Sequence, residues 1–424
     1  MILMKKVFLD NNSSTRIDDR VLEAMIPYYT DIISPPGTDY GHSLGIKAKK
    51  AVDESRALIA GRINVNPDCL IFTSGQAESN NFVIKGLTLA KFSEYKQLST
   101  TILASKISHS TVLNSLKASK KFGVDFKLVN VDSEGFTNID HLKELLENNN
   151  VVLVSLPLGN VEIGTIDNIK DITSICHEHN ALVHADATHS FCKIDMDVNA
   201  LGIDLMTIAS DYIHGPRGVG ALYIREGVKI EPLIHGGFQE KGRRGGSENV
   251  PGIVGFAKAT SLYDEKVVNH VRKLRDYLWD EFSKKVTNFQ VTGSLNRDKR
   301  LPHHFSVVIN YVEGESILLH MDMLGFMIAT GSACSSRNLK ASHVLTAIGL
   351  PTEISHGSVR IGLSKYNSKE EIDSFIDNLI PVIERLRQIS PVDEEFMREW
   401  MKMKEQGKVG DEGLHHNHIE EEDD

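Results

Sequence analysis

The feature that most constrains the fold is an alternation of short β-type runs with amphipathic stretches between Cys69 and about Ile224. The β-type runs are residues 70–73, 101–104, 151–155, 181–184 and 205–208. The stretches between them have helical periodicity; in residues 169–179, for example, Ile169, Ile172 and Cys176 share one face. This order predicts an α/β protein with a mostly parallel sheet that has helices on both sides.

The chain beyond Asn249 has a different pattern. A long helical pattern runs from Ile253 to about Phe282, and the strands predicted at 306–310 and 358–363 alternate with helices such as 370–388. We expect these elements to form a smaller α/β domain. The predicted units are a 1–20 arm that packs with the small domain, a 21–252 large domain, a 253–390 small domain and a 391–424 polar tail.

Composition excludes several functional classes. The net charge of -10 comes partly from the acidic run 420–424, and nothing indicates a nucleic-acid surface. The cysteines are Cys69, Cys176, Cys192 and Cys334. Their wide spacing argues against a disulfide framework and against a closed four-thiolate zinc site. Because no run of about eighteen apolar residues occurs and no signal peptide precedes Asp10, we expect a cytoplasmic protein without a membrane partner.

The tail is polar and we expect it to be disordered. Its last residues include His415, His416 and His418 beside an acidic run. Histidine-rich tracts can bind metal. We expect these three to be solvated instead, since nothing in the sequence fixes their positions.

Asp186 is the first residue that suggests chemistry, because it follows a buried β-type run in the sequence Val183 to Ser190. Ligands of open α/β sheets bind at the carboxyl ends of strands. An isolated aspartate there more often caps a loop. Three other segments strengthen the functional interpretation: residues 72–81, where a strand meets a helix start that can offer N–H groups to a phosphate, and the glycine-rich segments 212–220 and 236–249.

The order of these segments resembles that of the NifS/IscS-type cysteine desulfurases of the class-V aminotransferase group. The resemblance covers roughly residues 7–391. It is carried by residues 9–12, 72–81, 184–186, 215–218, 243–249 and 330–336. It implies the fold-type-I pyridoxal phosphate architecture, with a large cofactor domain, a small domain and assembly as a homodimer.

The resemblance also implies roles for individual residues. The family's aspartate at the position of Asp186 pairs with the pyridine nitrogen of pyridoxal phosphate, so that the ring can accept electrons. The ring-stacking histidine corresponds to His109 and the ring-side asparagine to Asn160. The arginine that binds the substrate carboxylate corresponds to Arg360, which can form two parallel hydrogen bonds, and we expect Asn11 to contact the substrate too.

Cys334 corresponds to the family's nucleophile, which lies on a mobile loop and carries sulfur as a persulfide. An isolated cysteine is more often a small buried apolar residue. The small, flexible sequence from Gly331 to Ser336 reverses that expectation and predicts a reactive thiol, subject to its exposure and pKa. We expect the other cysteines to be structural.

The chain departs from the family where the cofactor is anchored. When Gly215–Pro216 is aligned with the family's glycine–proline, Tyr212 stands at the Schiff-base lysine and Asp211 at the adjacent histidine. A phenol forms no imine and its usual pKa is about 10, so Tyr212 can neither hold pyridoxal phosphate covalently nor move protons as the lysine does. Lys193 and Lys85 match surface or structural positions, and we expect neither to replace the lost lysine.

The predicted phosphate site has also lost donors. Ala77 and Ala209 stand where the family has a threonine and a serine, and each missing hydroxyl costs about 0.5 to 1.5 kcal/mol. His189 replaces the glutamine that faces the cofactor's phenolic oxygen. Gly75 keeps the phosphate turn, and Ser247 keeps the hydroxyl that in the family reaches the phosphate of the other subunit.

Three functions remain open from the sequence. The first is a non-catalytic homologue that serves iron–sulfur cluster assembly, with Cys334 as a sulfur relay or as a ligand of a cluster shared with a scaffold protein. The second is an active desulfurase that binds pyridoxal phosphate noncovalently and converts L-cysteine to L-alanine and a Cys334 persulfide. The third is a non-catalytic subunit that pairs with an active paralogue. We favour the first.

Overall fold

A computed structural model describes residues 6–37, 41–95, 100–331 and 342–390 of the protein. The strands are β1 Val7–Phe8, β2 Leu70–Thr73, β3 Thr101–Ser105, β4 Asp125–Val129, β5 Val151–Pro157, β6 Leu182–Asp186, β7 Leu205–Ala209, β8 Gly220–Ile224, β9 Phe289–Val291, β10 His304–Ile309, β11 Phe326–Met327 and β12 Ser358–Gly362. The predictions for Cys334 and for the tail fall outside the described residues.

The helices are α1 Asp19–Met25, α2 Pro27–Thr30, α3 Ser43–Arg62, α4 Gln76–Tyr95, α5 Ser110–Ser119, α6 Ile139–Glu147, α7 Ile169–Glu178, α8 Val198–Leu201, α9 Val250–Leu262, α10 Glu265–Lys285, α11 Gly314–Met323, α12 His343–Ala347, α13 Thr352–Ser355 and α14 Lys369–Ile389. Short 3-10 helices occur at Pro67–Cys69, Lys120–Phe122, Gln239–Gly242 and Arg297–Lys299. None of the helices in the described ranges is long and apolar enough to cross a bilayer.

The large domain is built on a sheet of seven strands in the order β2-β8-β7-β6-β5-β3-β4. Strand β8 is antiparallel to both of its neighbours, and the remaining pairs are parallel. Successive side chains of β2 point to opposite faces, so Leu70 and Phe72 join one apolar cluster and Ile71 joins the other. Helices cover both faces, which confirms the predicted α/β class with a mostly parallel sheet.

The small domain contains the antiparallel sheet β12-β10-β9. Helices α10 and α14 pack on it around Leu278, Phe305, Ile361 and Phe375. Helix α14 begins at a capping box, in which Ser368 accepts a hydrogen bond from the backbone of Glu371 and Glu371 accepts one from the backbone of Ser368.

The helical pattern predicted from 253 to 282 is divided into two helices. Asp264 starts the second, α10, by accepting a hydrogen bond from Val267 N at 3.0 Å. Ile253 and Phe256 of α9 lie in the core of the large domain. Helix α9 packs with α1 and α3, whereas α10 packs with α14 and β10, so α9 lies with the large domain although the predicted boundary falls after residue 252.

The N-terminal segment crosses to the small domain. Strand β1 pairs in parallel with β11. Further along, Gly362 N donates to Leu9 O at 2.6 Å and Asn11 N donates to Gly362 O at 3.1 Å. A Cβ at Gly362 would lie 2.5 Å from Asn12 N, so only glycine allows this close approach. These contacts fix the arm beside Arg360, which lies two residues before Gly362 on β12.

Asp18 joins this arm to the segment after β12. Its carboxylate accepts hydrogen bonds from Arg20 Nη2 at 2.8 Å, from Tyr366 Oη at 3.1 Å and from Lys365. Hydrogen bonds from Arg20 and Lys365 outweigh burial and hold the pKa of Asp18 far below its usual range.

We predict that Asp18→Asn lowers the free energy of unfolding by about 2 kcal/mol at pH 7, because hydrogen bonds to a buried charge are lost. An aspartate whose pKa is lowered in the folded state adds its full stabilisation above pH about 4 and loses it as the pH falls further. The difference in free energy of unfolding between Asp18→Asn and wild type should therefore shrink in acid. Urea unfolding at pH 7 and pH 3 measures it. The control Asp19→Asn removes an exposed ion pair and should change stability by less than about 1 kcal/mol.

Candidate functional site

Five of the predicted site residues follow or end strands of the large sheet that run in the same direction. Asp186 ends β6, Gly75 follows β2, His109 follows β3, Asn160 follows β5 and Tyr212 follows β7. These five strands are mutually parallel, so their carboxyl ends meet at one edge. The sheet therefore brings together residues far apart in sequence, at the edge where open α/β sheets bind ligands.

Asp186 is buried and its carboxylate is bonded within the chain. Oδ2 accepts hydrogen bonds from Gln76 Nε2 at 2.9 Å and from Asn80 Nδ2 at 2.8 Å. Oδ1 accepts hydrogen bonds from Thr188 N at 3.1 Å and from Thr188 Oγ1 at 2.6 Å. Burial opposes ionisation, but the bonds from Thr188 and Asn80 outweigh it, and the pKa of Asp186 lies below its usual value.

Four donors use the roughly four lone-pair positions of an ionised carboxylate. Asp186 is therefore an anion whose hydrogen-bonding capacity is already used, and a pyridine N–H would have to displace one of these donors. Gln76 was not singled out from the sequence. Its spacing from Asn80 is the sequence feature that could have identified it, since residues four apart in α4 lie on one helix face.

His109 and Asn160 have local hydrogen bonds that shape the site. His109 Nδ1 lies 2.8 Å from Thr111 Oγ1, and burial lowers the pKa of His109, so its ring is neutral near pH 7. Asn160 Nδ2 donates to Ile107 O at 2.9 Å, and its Oδ1 accepts from Glu162 N at 2.8 Å. The amide of Asn160 thus holds the chain around it, in addition to the ring-side role that the resemblance implies.

Tyr212 and His189 form an aromatic pair at the position where the resemblance implies the Schiff-base lysine. Their ring centroids are 4.2 Å apart with an interplanar angle of 59°. Burial and the neighbouring Lys193 lower the pKa of His189 well below its usual value, so the imidazole is neutral. Asp211 lies under the N-terminal arm, because its carbonyl oxygen accepts hydrogen bonds from Thr15 N at 3.1 Å and Thr15 Oγ1 at 2.7 Å. Burial raises the pKa of the Asp211 carboxyl.

Lys193 lies in the interior, with 1% of its surface exposed. Its Nζ is 3.0 Å from His303 Nε2, which links the large domain to the residue before β10. Burial lowers the pKa of Lys193 to about 7, and the carboxyl of Asp211 acts in the opposite direction. The sequence predicted a surface or a structural position for Lys193, and its burial shows the structural position.

We predict that wild-type stability gains about 1.4 kcal/mol per pH unit from Lys193 as the pH rises above 7, because the unfolded chain then binds a proton that the folded chain has released. Lys193→Met should remove this part of the slope. Urea unfolding at pH 7, 8 and 9 measures it. Lys170→Met, which removes an exposed lysine, is the control for the lost charge; equal slopes for the two variants would contradict the prediction.

The predicted phosphate turn holds a carboxylate of the chain itself. Glu78 Oε2 accepts a hydrogen bond from Ser74 N at 2.8 Å, and Glu78 Oε1 accepts one from Arg244 Nε at 2.9 Å. Ala77 supplies no hydroxyl. A cavity of about 120 Å³ opens beside the turn, lined by Ser74, Arg244 and Ser247 among others. Glu78 therefore neutralises Arg244 and uses a backbone donor that a phosphate would otherwise take.

The predicted substrate residues lie where the arm meets β12. Arg360 Nη2 donates to Ser13 Oγ at 3.0 Å and lies 3.8 Å from Asp10 Oδ1. Asn11 Nδ2 donates to Gly362 O at 2.8 Å, so Asn11 holds the arm in place. In the described part of the chain, both side-chain polar atoms of Asn12 are buried without a partner. Asn12 is therefore a further candidate for a ligand contact beside Asn11, for which substrate contact stays a prediction.

The sequence profile of the class-V aminotransferases matches residues 7–375. The chain belongs to this family. It is 41% identical over 401 residues to a protein of Dictyoglomus turgidum named cysteine desulfurase IscS, covering 94% of this chain and 98% of that relative. It is also 41% identical over 388 residues to cysteine desulfurase IscS 1 of Archaeoglobus fulgidus, covering 91% and 99%.

Solved structures agree with this assignment. A NifS-like protein superposes with a TM-score of 0.81 at 35% identity, covering 90% of this chain and 100% of that one. A NifS-like protein from Rickettsia africae gives a TM-score of 0.79 at 28% identity, covering 89% and 99%. The fold-type-I architecture implied by the resemblance is confirmed.

The family implies pyridoxal phosphate as cofactor, but the described residues do not fit its usual attachment. Tyr212 supplies no amine, Asp186 is saturated by donors such as Gln76, and Glu78 occupies a donor of the phosphate turn. At Asp186 and at Ser74 N, side chains of the protein thus make hydrogen bonds that the family's cofactor would otherwise make.

Proposed function

We propose that this protein is a member of the cysteine desulfurase group that serves iron–sulfur cluster assembly without ordinary pyridoxal phosphate chemistry. It acts through Cys334, as a sulfur relay or as a ligand of a cluster shared with a scaffold protein, and it works as a cytoplasmic homodimer. The observation that supports this most is the saturation of Asp186 by Gln76, Asn80 and Thr188, next to a tyrosine in place of the lysine.

The chemistry of Cys334 is proposed from the family resemblance and from the site. Relatives that match over most of the chain are named cysteine desulfurases, so sulfur is the cargo that the proposal assigns to this chain. Thiolates are suitable ligands for iron–sulfur clusters and carriers for sulfur. The other cysteines are poorer candidates, since burial raises the pKa of Cys176 and of Cys192 to about 12 and keeps both thiols protonated.

Cluster reconstitution tests the role of Cys334. With a scaffold protein, ferrous iron and a persulfide donor, we predict that Cys334→Ser lowers cluster formation and sulfur transfer at least tenfold, because the accepting thiolate is gone. Absorbance of the cluster and mass spectrometry of the persulfide measure the two effects. Cys69→Ser changes a half-buried thiol and is the matched control; equal yields from both variants would refute the proposal.

A second function is supported by other residues. An ionised Asp186, a neutral His109 and a free Arg360 Nε are compatible with an active desulfurase that binds pyridoxal phosphate noncovalently. Sulfide release from L-cysteine with added cofactor would favour this alternative. Copurification with a paralogue from the native host would instead favour pairing with an active subunit.

Absorbance titration with pyridoxal phosphate separates these possibilities. We predict no stable aldimine band for wild type, and about fivefold tighter cofactor binding for Gln76→Ala, since one competing hydrogen bond of about 1 kcal/mol is removed. The double variant Gln76→Ala/Tyr212→Lys should show the band, and borohydride reduction with peptide mapping should place the cofactor at residue 212. A band trapped on a lysine of the wild-type chain would contradict the proposal.

A further inference from the structure

The outward face of α11 in the small domain carries an exposed apolar pair. Leu319 and Met323 lie one helix turn apart with 63% and 71% of their surfaces exposed, so nothing in the described ranges covers them. On the inward face, Ile317 and Met321 are buried in the core of the small domain. Single exposed apolar residues are common on protein surfaces, but two on one face of a surface helix indicate a contact surface.

The chain leaves α14 beside the first turn of α11. The two helices pack against each other and run in opposite directions. Before α14, Asn367 Nδ2 donates to Phe8 O at 3.1 Å on β1, which pairs with the strand that follows α11. Near the end of α14, Arg387 Nε donates to Asn310 O at 3.3 Å, shortly before α11 begins. The end of α14 therefore lies at the start of α11.

The chain also changes direction at this point. Ser390 follows the last residue of α14 and has φ −69° and ψ 132°, which is an extended conformation. Pro391 comes next, and proline disfavours a helical conformation of the residue before it. The residues after Ser390 therefore do not continue α14, and a turn at this place directs them along the neighbouring helix.

The sequence of residues 393–404 has a helical pattern of its own. Phe396, Trp400 and Met403 recur at spacings of four and three residues, which places them on one helix face. The first turn is acidic and the last turn is basic, as the two ends of a helix favour. A helix of this length would extend about 18 Å, and the ten residues of α11 extend about 15 Å.

We propose that residues 393–404 form a helix that packs on the outward face of α11 of the same chain. The segment begins beside the first turn of α11, so it runs in the same direction as α11. Phe396 then packs on Leu319, and Trp400 packs on Met323, because both pairs have the same four-residue spacing. This contact removes apolar surface of both helices from water.

The charges at the end of α11 are complementary to those of the tail segment. Asp322 is exposed beside Met323, in the last turn of α11. The last turn of the tail segment carries Lys402 and Lys404, so opposite charges meet there. The inference depends on neither Cys334 nor pyridoxal phosphate, and it restricts the expected disorder of the tail to the residues after Lys404.

Tryptophan fluorescence of the full-length protein tests the contact. The chain has two tryptophans, and Trp279 is buried in the small domain, so acrylamide quenching reports mainly on Trp400. A Trp400→Phe variant measures the background from Trp279. We expect Trp400 to be protected in wild type. Leu319→Gln/Met323→Gln should lower the ratio of docked to undocked tail at least about tenfold, because two apolar contacts are lost while glutamine still favours a helix.

Matched variants separate docking from general effects of substitution. Phe396→Gln should expose Trp400 to the quencher as strongly as the double variant does. Arg398→Gln changes the opposite face of the tail segment and should leave Trp400 protected. Leu58→Gln changes an apolar residue that is 42% exposed on α3 of the large domain, and it should behave as wild type. Thermal unfolding shows whether each variant is folded.

A mixed assembly distinguishes docking within one chain from docking on a second copy. Chains with Leu319→Gln/Met323→Gln are coexpressed with chains that carry Phe396→Gln/Trp400→Phe and have an intact α11. We expect Trp400 of the first chain to stay exposed, because its own α11 is altered. Protection of Trp400 in the mixed assembly would overturn the proposal in favour of docking between copies. The proposal is also overturned if folded Leu319→Gln/Met323→Gln protein shows the same quenching as wild type.

Discussion

The ionised carboxylate of Asp186 is the interaction on which the rest of the site depends. A buried negative charge is tolerated only when it is hydrogen-bonded, and here the donors are Thr188 on the same loop and Gln76 and Asn80 on α4. These bonds join the end of β6 to the start of α4. The same contacts that stabilise Asp186 also use the positions through which a cofactor ring would be recognised.

Burial determines the charge of most other groups near this edge. It lowers the pKa of His109, His189 and Lys193, and it raises that of Asp211 and Glu162. The neutral form of each group is favoured because charge is expensive in a poorly solvated interior. Arg360 contributes the guanidinium group of the site. The site therefore combines this guanidinium with side chains whose neutral forms are favoured by burial.

The N-terminal arm makes the second half of the site possible. It crosses from β11 past Gly362 and then bonds to Asp211, so it contacts both domains. Through Ser13 it holds Arg360, and through Asn11 it holds the backbone next to it. The position of Arg360 thus depends on an N-terminal segment that contacts both domains.

The sequence by itself determined the α/β class, most of the strands and the family, because these follow from local periodicity and from ordered motifs. In the large sheet it missed β4, an edge strand with exposed positions, and β8, which begins inside a glycine-rich segment. Elsewhere it missed the short strands β1, β9 and β11. Only the tertiary structure decided that Gln76 binds Asp186, 110 residues away, that Lys193 is buried against His303, and that Asn12 is unpaired while Asn11 is bonded. Those outcomes depend on which side chains meet when distant strand ends and the arm converge, and no local pattern encodes such long-range contacts.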